Sequence, residues 1–520
     1  MSIKTLGIFG LLLALSIFMA IMTSNPWYDV LNGTFLQPNN IENLLRRTSM
    51  YGLLGIGVAF VIITGGIDLS IGSIVCLAGC LLALFLQVNY QAADDYSVSK
   101  IKAEEKSILL IGKVPAFGVG DRIRLSGARR AKNALLNISE VEQVQLENTQ
   151  GQAAGSATML TVEGDISRDD DSGRIAKVYP VSDFKKSTES SASELVLDGA
   201  FPKLRPRDQL TLVHPQQGQK QIEIVTVKSE KGSTTLHLQR DLGSDFSKEW
   251  LVIPQLRHQR MPVPLAILSV IGIAVLLGLI HGLLVTRVRL QPFVVTLCGL
   301  LIYRGASRWL VSDQPVGFGN EFTDTLSPLG SGKWVLHQWS NHGHTETFGI
   351  PYPLFILVFV AIAAAIFLNM TIWGRYLLAL GRNEEAARYS GINTARITAI
   401  AYVICTVAAA MGGMLFAIDS NSVSPSSFGN FFELYAIAAA VLGGCSLRGG
   451  EGTVLGVIIG TAVMQILNNL ILLMKISDEL EFAIIGLVIL IGVISDELIR
   501  RFAARRRAIL EAKLNRTVSA

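Results

Sequence analysis

The chain has 520 residues, of which 50% are hydrophobic and 17% are charged, and its mean hydropathy is +0.44. Soluble domains usually carry about 25% charged residues, so this composition excludes an ordinary soluble protein and indicates a chain that lies largely in lipid. The formal net charge of +4 says little by itself, because the placement of charge decides how a membrane protein is oriented.

Ten apolar runs predict an all-α polytopic membrane protein with about ten transmembrane helices. The runs cover residues 6–23, 53–63, 71–86, 264–285, 293–310, 353–373, 397–418, 434–442, 454–474 and 482–494. A spanning helix needs roughly 20 mainly apolar residues, so the shorter runs predict broken helices lined by protein. No convincing cleavage site follows the first run, and we predict that it remains as an uncleaved span.

Arginines mark three connections as cytoplasmic. They follow the run that ends at residue 285, surround the connection 374–394, and fill the tail 499–520. The positive-inside rule places all three in the cytoplasm, which requires cytoplasmic N- and C-termini in the bacterial inner membrane. We interpret the basic tail as a topology anchor beside the lipid bilayer rather than as a nucleic-acid site.

Residues 91–261 predict an inserted, extracytoplasmic β-rich domain between two parts of the membrane domain, residues 1–90 and 262–498. Apolar residues alternate with polar ones in segments 122–125, 209–213, 222–227 and 234–238, a pattern typical of half-buried strands. A weak internal duplication suggests two tandem modules, because Ala-Phe precedes an alternating strand both at residues 116–125 and at residues 200–212.

The segment 64–73, Thr-Gly-Gly-Ile-Asp-Leu-Ser-Ile-Gly-Ser, interrupts two apolar runs. A carboxylate at the bilayer centre costs about 2.5–3.5 kcal/mol on insertion scales, so Asp68 is expected in a protein-lined break. There it is expected to cap the helix that follows. A contact with solute or a gate remains the alternative.

A second break follows residue 442, where glycines permit close helix approach and non-helical turns. The next run carries amides that are expected to face other helices or a pore, and Arg304 either snorkels or lines an outer vestibule. The candidates for a translocation core are Gly65, Gly66, Asp68, Arg304, Gly443, Gly444, Gly449, Gly450, Asn468 and Asn469.

The connection 374–394 contains the pattern of a short charged helix. Asn383 can cap it, Glu384 and Glu385 oppose the N-terminal dipole, and Arg388 precedes Gly391 at the C-terminal end. So short a helix is marginal in water, and we expect it to pack against its own membrane domain or a partner. A surface loop with favourable local chemistry is the alternative.

The remaining polar motifs predict no catalytic residue and no directly bound cofactor. Residues 327–334 lack the first glycine and the final Ser/Thr of a P-loop, so the chain is not expected to bind ATP in that way. The cluster of His337, His342, His344 and Glu346 is interpreted as an ordinary polar loop, and we predict no metal site.

Three segments in this order, 64–73, 381–392 and 434–456 with Asn468 and Asn469 downstream, resemble the permease subunits of bacterial ABC importers for ribose and similar sugars. The resemblance covers roughly residues 1–90 and 262–500. It implies an ABC ATPase partner that holds ATP and Mg²⁺, a periplasmic solute-binding protein, and a second permease copy or paralogue. It also implies that an ATPase-coupling loop is formed by Arg382, Asn383, Glu384, Glu385, Ala386, Ala387, Arg388 and Gly391.

The sequence therefore predicts a permease subunit for a sugar or sugar-like solute, with alternating access driven by the partner ATPase. The β insertion departs from the family pattern and puts the docking of a binding protein in doubt. Two alternatives stay open: an ion-coupled secondary transporter, and a membrane anchor for the β domain.

Overall fold

The structure, a computed structural model, describes residues 3–477 apart from short gaps. The gaps are residues 25–32, 115, 128–133, 148–152, 167, 187–192, 199–200, 202, 215–217, 231–232, 240–241, 243–245 and 342–343, and between 478 and 494 only isolated residues are described. The predicted last span, 482–494, falls mostly outside the described residues, and the predicted tail 499–520 falls entirely outside them. The chain forms two compact units, Met1–Gln87 with Met261–Ala520, and Val88–Arg260.

The first unit is helical. Its described helices are α1 (Ile3–Met22), α2 (Pro38–Ile63), α3 (Ile71–Phe85), α4 (Val263–Thr286), α5 (Pro292–Leu310), α6 (Ser327–Ser331), α7 (Tyr352–Met370), α8 (Ile372–Arg382), α9 (Glu384–Tyr389), α10 (Thr394–Ser420), α11 (Phe432–Leu442) and α12 (Val454–Leu473). Proline stands in the first turn of α2, α4, α5 and α7, where its missing N–H costs no helical hydrogen bond. Helix α2 is the most enclosed of the long helices, and it packs against α10.

The second unit is built of antiparallel strands. They are β1 (Val88–Ala92), β2 (Asp95–Lys102), β3 (Ser107–Ile111), β4 (Arg122–Ser126), β5 (Ala134–Glu147), β6 (Ala153–Glu163), β7 (Arg174–Lys186), β8 (Ser193–Asp198), β9 (Gln209–His214), β10 (Gly218–Glu230), β11 (Ser233–Leu238) and β12 (Leu251–Gln259). The alternating segments of the sequence predict β4, β9, β10 and β11, and all four strands are present.

The long strand β7 divides the sheet into two closed rings. Its first half pairs with β2 and β4, which closes the ring β7-β2-β3-β6-β5-β4. Its second half pairs with β8 and β12, which closes the ring β7-β8-β11-β10-β9-β12. Each ring encloses its own apolar core, one around Ile108 and Ile123, the other around Leu210 and Trp250.

The same turn precedes β4 in the first ring and β9 in the second. Asp121 accepts a hydrogen bond from Gly118 N at 2.7 Å, and Asp208 accepts one from Arg205 N at 2.6 Å. The residue before each aspartate has a positive φ, 87° at Gly120 and 76° at Arg207. Left-handed backbone is strained for arginine, so the turn in the second ring adopts the geometry of the first without its glycine.

The predicted fold class, an all-α membrane protein of about ten spans with an added β domain, is wrong. A sheet of twelve strands takes up about a third of the chain. In the part of the chain that the structure describes, six helices are long and apolar enough to cross a membrane, namely α2, α4, α5, α7, α10 and α12. The apolar stretches Leu6–Met22, Ile71–Phe85 and Phe432–Leu442 are shorter.

Two of these shorter helices, α3 and α11, are limited by interruptions that an apolar run does not reveal. Helix α3 begins only after the break at residues 64–70, and α11 ends where the glycine-rich turn begins at Gly443. Hydropathy counts apolar residues but does not show where a helix is interrupted. The segment with His337, His344 and Glu346, interpreted above as an ordinary polar loop, instead contributes to a hairpin of β13 (Lys333–Asn341) and β14 (His344–Pro351). His342 lies outside the described residues.

Candidate functional site: a docking helix, a broken helix and a polar cavity

Helix α9 is capped at both ends by its own sequence. The Asn383 side chain accepts a hydrogen bond from Ala386 N at 2.9 Å, which satisfies one of the free N–H groups of the first turn. Gly391 takes the left-handed conformation, with φ 81°, and Ile392 N donates to the Ala387 carbonyl at 3.1 Å. Ala387 is the buried residue of the helix, whereas Glu384, Glu385 and Arg388 are exposed. These three charged side chains therefore lie at the surface. We call α9 the docking helix, and α8 with α9 the docking segment, after the role proposed for them below.

Glycines allow the C-terminal end of α8 to contact two other parts of the helical unit, the end of α2 and the turn between α11 and α12. A Cβ on Gly381 would lie 1.8 Å from the Ile63 carbonyl oxygen and 2.4 Å from Gly450 N. Gly450 N in turn donates to that carbonyl at 2.8 Å. A Cβ on Gly450 would lie 2.8 Å from Arg382 N. We call the contact of Ile63, Gly381, Arg382, Gly449 and Gly450 the glycine junction.

The break after α2 is organised by Asp68, which is fully buried. One carboxylate oxygen, Oδ1, accepts from Ser70 N at 2.8 Å and from Ser70 Oγ at 2.6 Å. Ser70 occupies the N-cap position of α3, although its side chain makes no capping hydrogen bond to that helix. Asp68 therefore fixes the residue at the N-cap position instead of capping the helix itself. The other oxygen, Oδ2, is buried without a hydrogen-bond partner.

Three aromatic or imidazole side chains that the sequence did not single out surround this break. Tyr303 Oη and His281 Nε2 lie 2.8 Å apart, and the ring of Tyr402 meets His281 edge-on at 5.9 Å between centroids. A Cβ on Gly299 would lie 2.8 Å from His281 Nε2 and 3.3 Å from Ser70 Cβ. His281 Nδ1 and Tyr402 Oη are buried without partners. The sequence signal that could have identified this group is His281, a single histidine inside the apolar run of α4.

A cavity of about 700 Å³ links the docking helix to the break. Its walls include Gly65 and Gly66 of the break, Tyr402 of α10, and Glu384 and Arg388 of α9. The C-terminal end of α4, the first turn of α5 and the N-terminal end of α10 complete it. These helix ends therefore lie at one end of the bundle, which we call the docking end.

A second cavity, of about 510 Å³, lies at the opposite ends of the same helices. It is polar, and α2, α10, α11 and α12 line it. Arg46 Nη1 pairs with Asp419 Oδ1 at 3.2 Å across it. We call this space the polar cavity; its side chains include Asn40, Asn43, Arg46, Arg47, Tyr51, Asp419, Tyr435, Gln465, Asn468 and Asn469.

The residues predicted to form a translocation core lie at two different ends of the helical bundle. Gly65, Gly66, Gly449 and Gly450 belong to the docking end, whereas the adjacent amides of α12 line the polar cavity. Asn469 and Asn40 exchange two side-chain hydrogen bonds, at 2.7 and 3.2 Å, which ties α12 to α2. The sequence did not identify Arg46, Tyr51 or Asp419 as cavity residues, because the helices that carry them are distant in the chain.

The other candidates have packing roles in the structure. A Cβ on Gly443 would lie 2.6 Å from the Gly456 carbonyl oxygen, so this glycine lets α11 and α12 touch. Gly444 occupies a left-handed turn, with φ 88°. Arg304 Nη1 donates to the carbonyls of Pro425 and Phe428 at 3.1 and 2.6 Å. It therefore holds the loop between α10 and α11.

A helical bundle with interrupted helices, an exposed charged helix at one end and a polar cavity at the other is typical of a membrane transport subunit. The family described as "Branched-chain amino acid transport system / permease component" matches residues 40–120 and 237–493. The chain belongs to this permease family, and it is a transport subunit rather than an enzyme. The resemblance stated from the motifs is confirmed.

Curated relatives are named as sugar import permeases. The ribose import permease protein of Escherichia coli K12 is 35% identical over 231 residues, which cover 44% of this chain and 68% of that protein. The fructose import permease protein of Rhizobium meliloti is 31% identical over 243 residues, 47% of this chain and 65% of that protein. The galactose/methyl galactoside import permease protein of Haemophilus influenzae is 32% identical over 245 residues, 46% and 68%. No solved structure matches the chain.

Proposed function

We propose that this chain is the permease subunit of an ATP-driven importer for a sugar or sugar-like solute, and that α9 docks into a partner ATPase. The observation that carries the proposal is the glycine junction. In it, Gly381 lies directly against the Ile63 carbonyl at the end of α2 and against Gly450 N in the turn between α11 and α12. A push on α9 therefore acts directly on backbone at both helix breaks.

The proposed orientation places the docking end in the cytoplasm. Arg289 and Arg388 line the docking-end cavity, and further arginines follow at positions 375, 382 and 396. Positive charge beside helix ends favours the cytoplasmic side. The polar cavity then faces outward, both termini are cytoplasmic, and the protein crosses the inner membrane several times.

The proposed mechanism is alternating access. Closure of the ATPase subunits, which hold ATP and Mg²⁺, displaces α8 and α9 as a rigid handle. The junction passes this displacement to the break at residues 64–70 and to the turn that follows Gly443. Packed helices have discrete arrangements rather than continuous ones, so the bundle switches between outward and inward access.

The proposed partners follow from the same assignment. A solute-binding protein delivers the solute to the outward side, and a second permease copy or paralogue completes the membrane part. The names of the ribose, fructose and galactose import permeases support a sugar as the solute class.

The test of docking is charge reversal on α9. The double variant Glu384→Arg with Glu385→Arg places two positive charges in the first turn, where they oppose the helix dipole and any basic partner surface. We expect loss of copurification with the partner ATPase subunit, while the permease keeps its thermal unfolding midpoint. Both glutamates are exposed, so the reversal should leave the fold intact.

The matched control reverses the same dipeptide elsewhere. Glu104→Arg with Glu105→Arg changes two exposed glutamates in the turn between β2 and β3 and should leave copurification unchanged. Undiminished copurification of the Glu384→Arg, Glu385→Arg variant would disprove the docking role. Loss of copurification in both double variants would show an effect of charge alone.

A further inference from the structure

The polar cavity contains buried polar atoms that no protein group satisfies. Gln465 is 3% exposed, and its Nε2 has no hydrogen-bond partner. Asn468 Oδ1, one turn further along α12, and Arg46 Nε, across the cavity on α2, are likewise buried and unpaired. All three side chains line the same space. Two donors and one acceptor are thus left open around one cavity.

Unpaired polar groups at this depth destabilise the bundle. Each buried donor or acceptor without a partner costs about 1–3 kcal/mol, and apolar residues of similar size would remove that cost. The amides of Asn40 and Asn469, in contrast, bond reciprocally to each other. The open groups of Gln465 and Asn468 therefore point to a molecule that enters the cavity.

The lining defines the chemistry of that molecule. Uncharged amides donate and accept hydrogen bonds, as hydroxyl groups do. The pairing of Arg46 with Asp419 neutralises these two charges and leaves Arg47 as the further charged side chain of the lining. Tyr51, which packs with Phe416, Phe432 and Tyr435, adds an aromatic surface for C–H groups. A volume of about 510 Å³ suits a small molecule, since such sites measure about 300–1,000 Å³.

We propose that the polar cavity is a solute-selecting site of the permease itself and that it takes a neutral, hydroxyl-rich molecule of monosaccharide size. Gln465 Nε2 and Arg46 Nε donate to hydroxyl oxygens, and Asn468 Oδ1 accepts from a hydroxyl group. The inference rests on the importer function proposed above and adds recognition to it. The permease itself then discriminates between solutes after their delivery, in addition to providing the path across the membrane.

The experiment measures binding without the ATPase. The full-length permease in lipid nanodiscs is titrated with D-ribose, D-fructose and D-galactose, and with L-leucine as the amino-acid comparison, by saturation-transfer NMR. Gln465→Met and Asn468→Leu each remove one open polar group while keeping volume. We expect at least one sugar to bind, and each variant to weaken that binding about tenfold, the upper range for one hydrogen bond. L-leucine should not bind.

The control is Asn369→Leu, which removes an exposed amide of α7 that bonds only to the Ala365 carbonyl. It should bind sugar as the parent does. Thermal unfolding midpoints of Gln465→Met should be unchanged or higher, because the open donor is gone. Absence of sugar binding to the parent, equal binding of L-leucine, or variants that bind like the parent would each overturn the proposal.

One further outcome identifies a different occupant. If Gln465→Met and Asn468→Leu alter the oligomeric mass while sugar binding persists, the cavity is an interface between copies, and the proposal is wrong. If the sugar-binding experiment fails, the docking result on Glu384 and Glu385 still stands, because ATPase copurification tests residues at the other end of the bundle. Failure of docking, conversely, leaves the nanodisc titration interpretable.

Discussion

Asp68 shows how a single carboxylate can be kept inside a membrane protein. Its Oδ1 takes two hydrogen bonds from Ser70, one from the backbone and one from the hydroxyl, so the break has a fixed geometry. Ser73 Oγ then donates to the Ser70 carbonyl at 2.7 Å, which extends the order into α3. The unpaired Oδ2 contributes charge but no bond, and the two oxygens therefore have separable roles.

Substitution of Asp68 separates those roles. Asp68→Asn keeps the acceptor for both Ser70 groups and removes the charge, so we expect a thermal unfolding midpoint equal to or above that of the parent. Asp68→Ala removes the acceptor, leaves two buried donors unpaired, and should cost about 1–3 kcal/mol. Thermal unfolding of the detergent-purified permease checks both. Equal destabilisation by the two variants would contradict the bonding role. Lost uptake with an unchanged midpoint in Asp68→Asn would give the charge a part in transport.

At the scale of elements, the glycine junction is the point at which the docking segment becomes part of the bundle. The carbonyl of Ile63, at the end of α2, accepts from Gly450 N, and Gly381 lies against both. Gly449 and Gly450 have φ values of 85° and 73°, which β-carbon-bearing residues rarely adopt. Gly381 meets the Ile63 and Gly450 backbones directly, so we expect the junction to act as a rigid coupling.

A methyl group at the junction should break this coupling. Gly381→Ala places a Cβ 1.8 Å from the Ile63 carbonyl oxygen, and overpacking of this kind costs about 1–3 kcal/mol. We expect a lower unfolding midpoint and lost uptake. Gly305→Ala in α5 is the control, because no atom lies within 4 Å of its added Cβ; it should be neutral or slightly stabilising. A Gly381→Ala midpoint equal to that of Gly305→Ala would refute the tight contact.

Features of the helical unit that depend on neighbouring residues in the chain could be predicted from the sequence. Features formed by residues of several distant helices could not. The cap by Asn383, the short helix after it and the turn at Gly391 follow from neighbouring residues, and all three are present. The polar cavity depends on Arg46, Asp419 and Gln465, which three different helices bring together. An apolar run also hides where its helix is interrupted, which is why α3 and α11 are shorter than a membrane span in the part of the chain that the structure describes.

For the whole molecule, the strand pairings imply that the β unit needs no support from the helices. Both rings close through β7, and each has a separate apolar core. Closure pairs strand edges that would otherwise invite aggregation. Val88 of β1 faces Gln259 of β12 as an antiparallel pair, so the two ends of the unit lie about 5 Å apart.

Because its ends meet, the unit should be removable as a block. Replacement of Val88–Arg260 by a Gly-Ser-Gly linker between Gln87 and Met261 should leave α3 and α4 in place, with ATPase copurification and uptake retained. The isolated segment 88–260 should be soluble and unfold cooperatively, as followed by circular dichroism. Removal of an unrelated helical segment, such as α7, serves as the control and should abolish folding, since α2 packs against it. Loss of all uptake in a folded, ATPase-binding deletion variant would mean that the β unit takes part in transport, and that the helices alone do not form the permease.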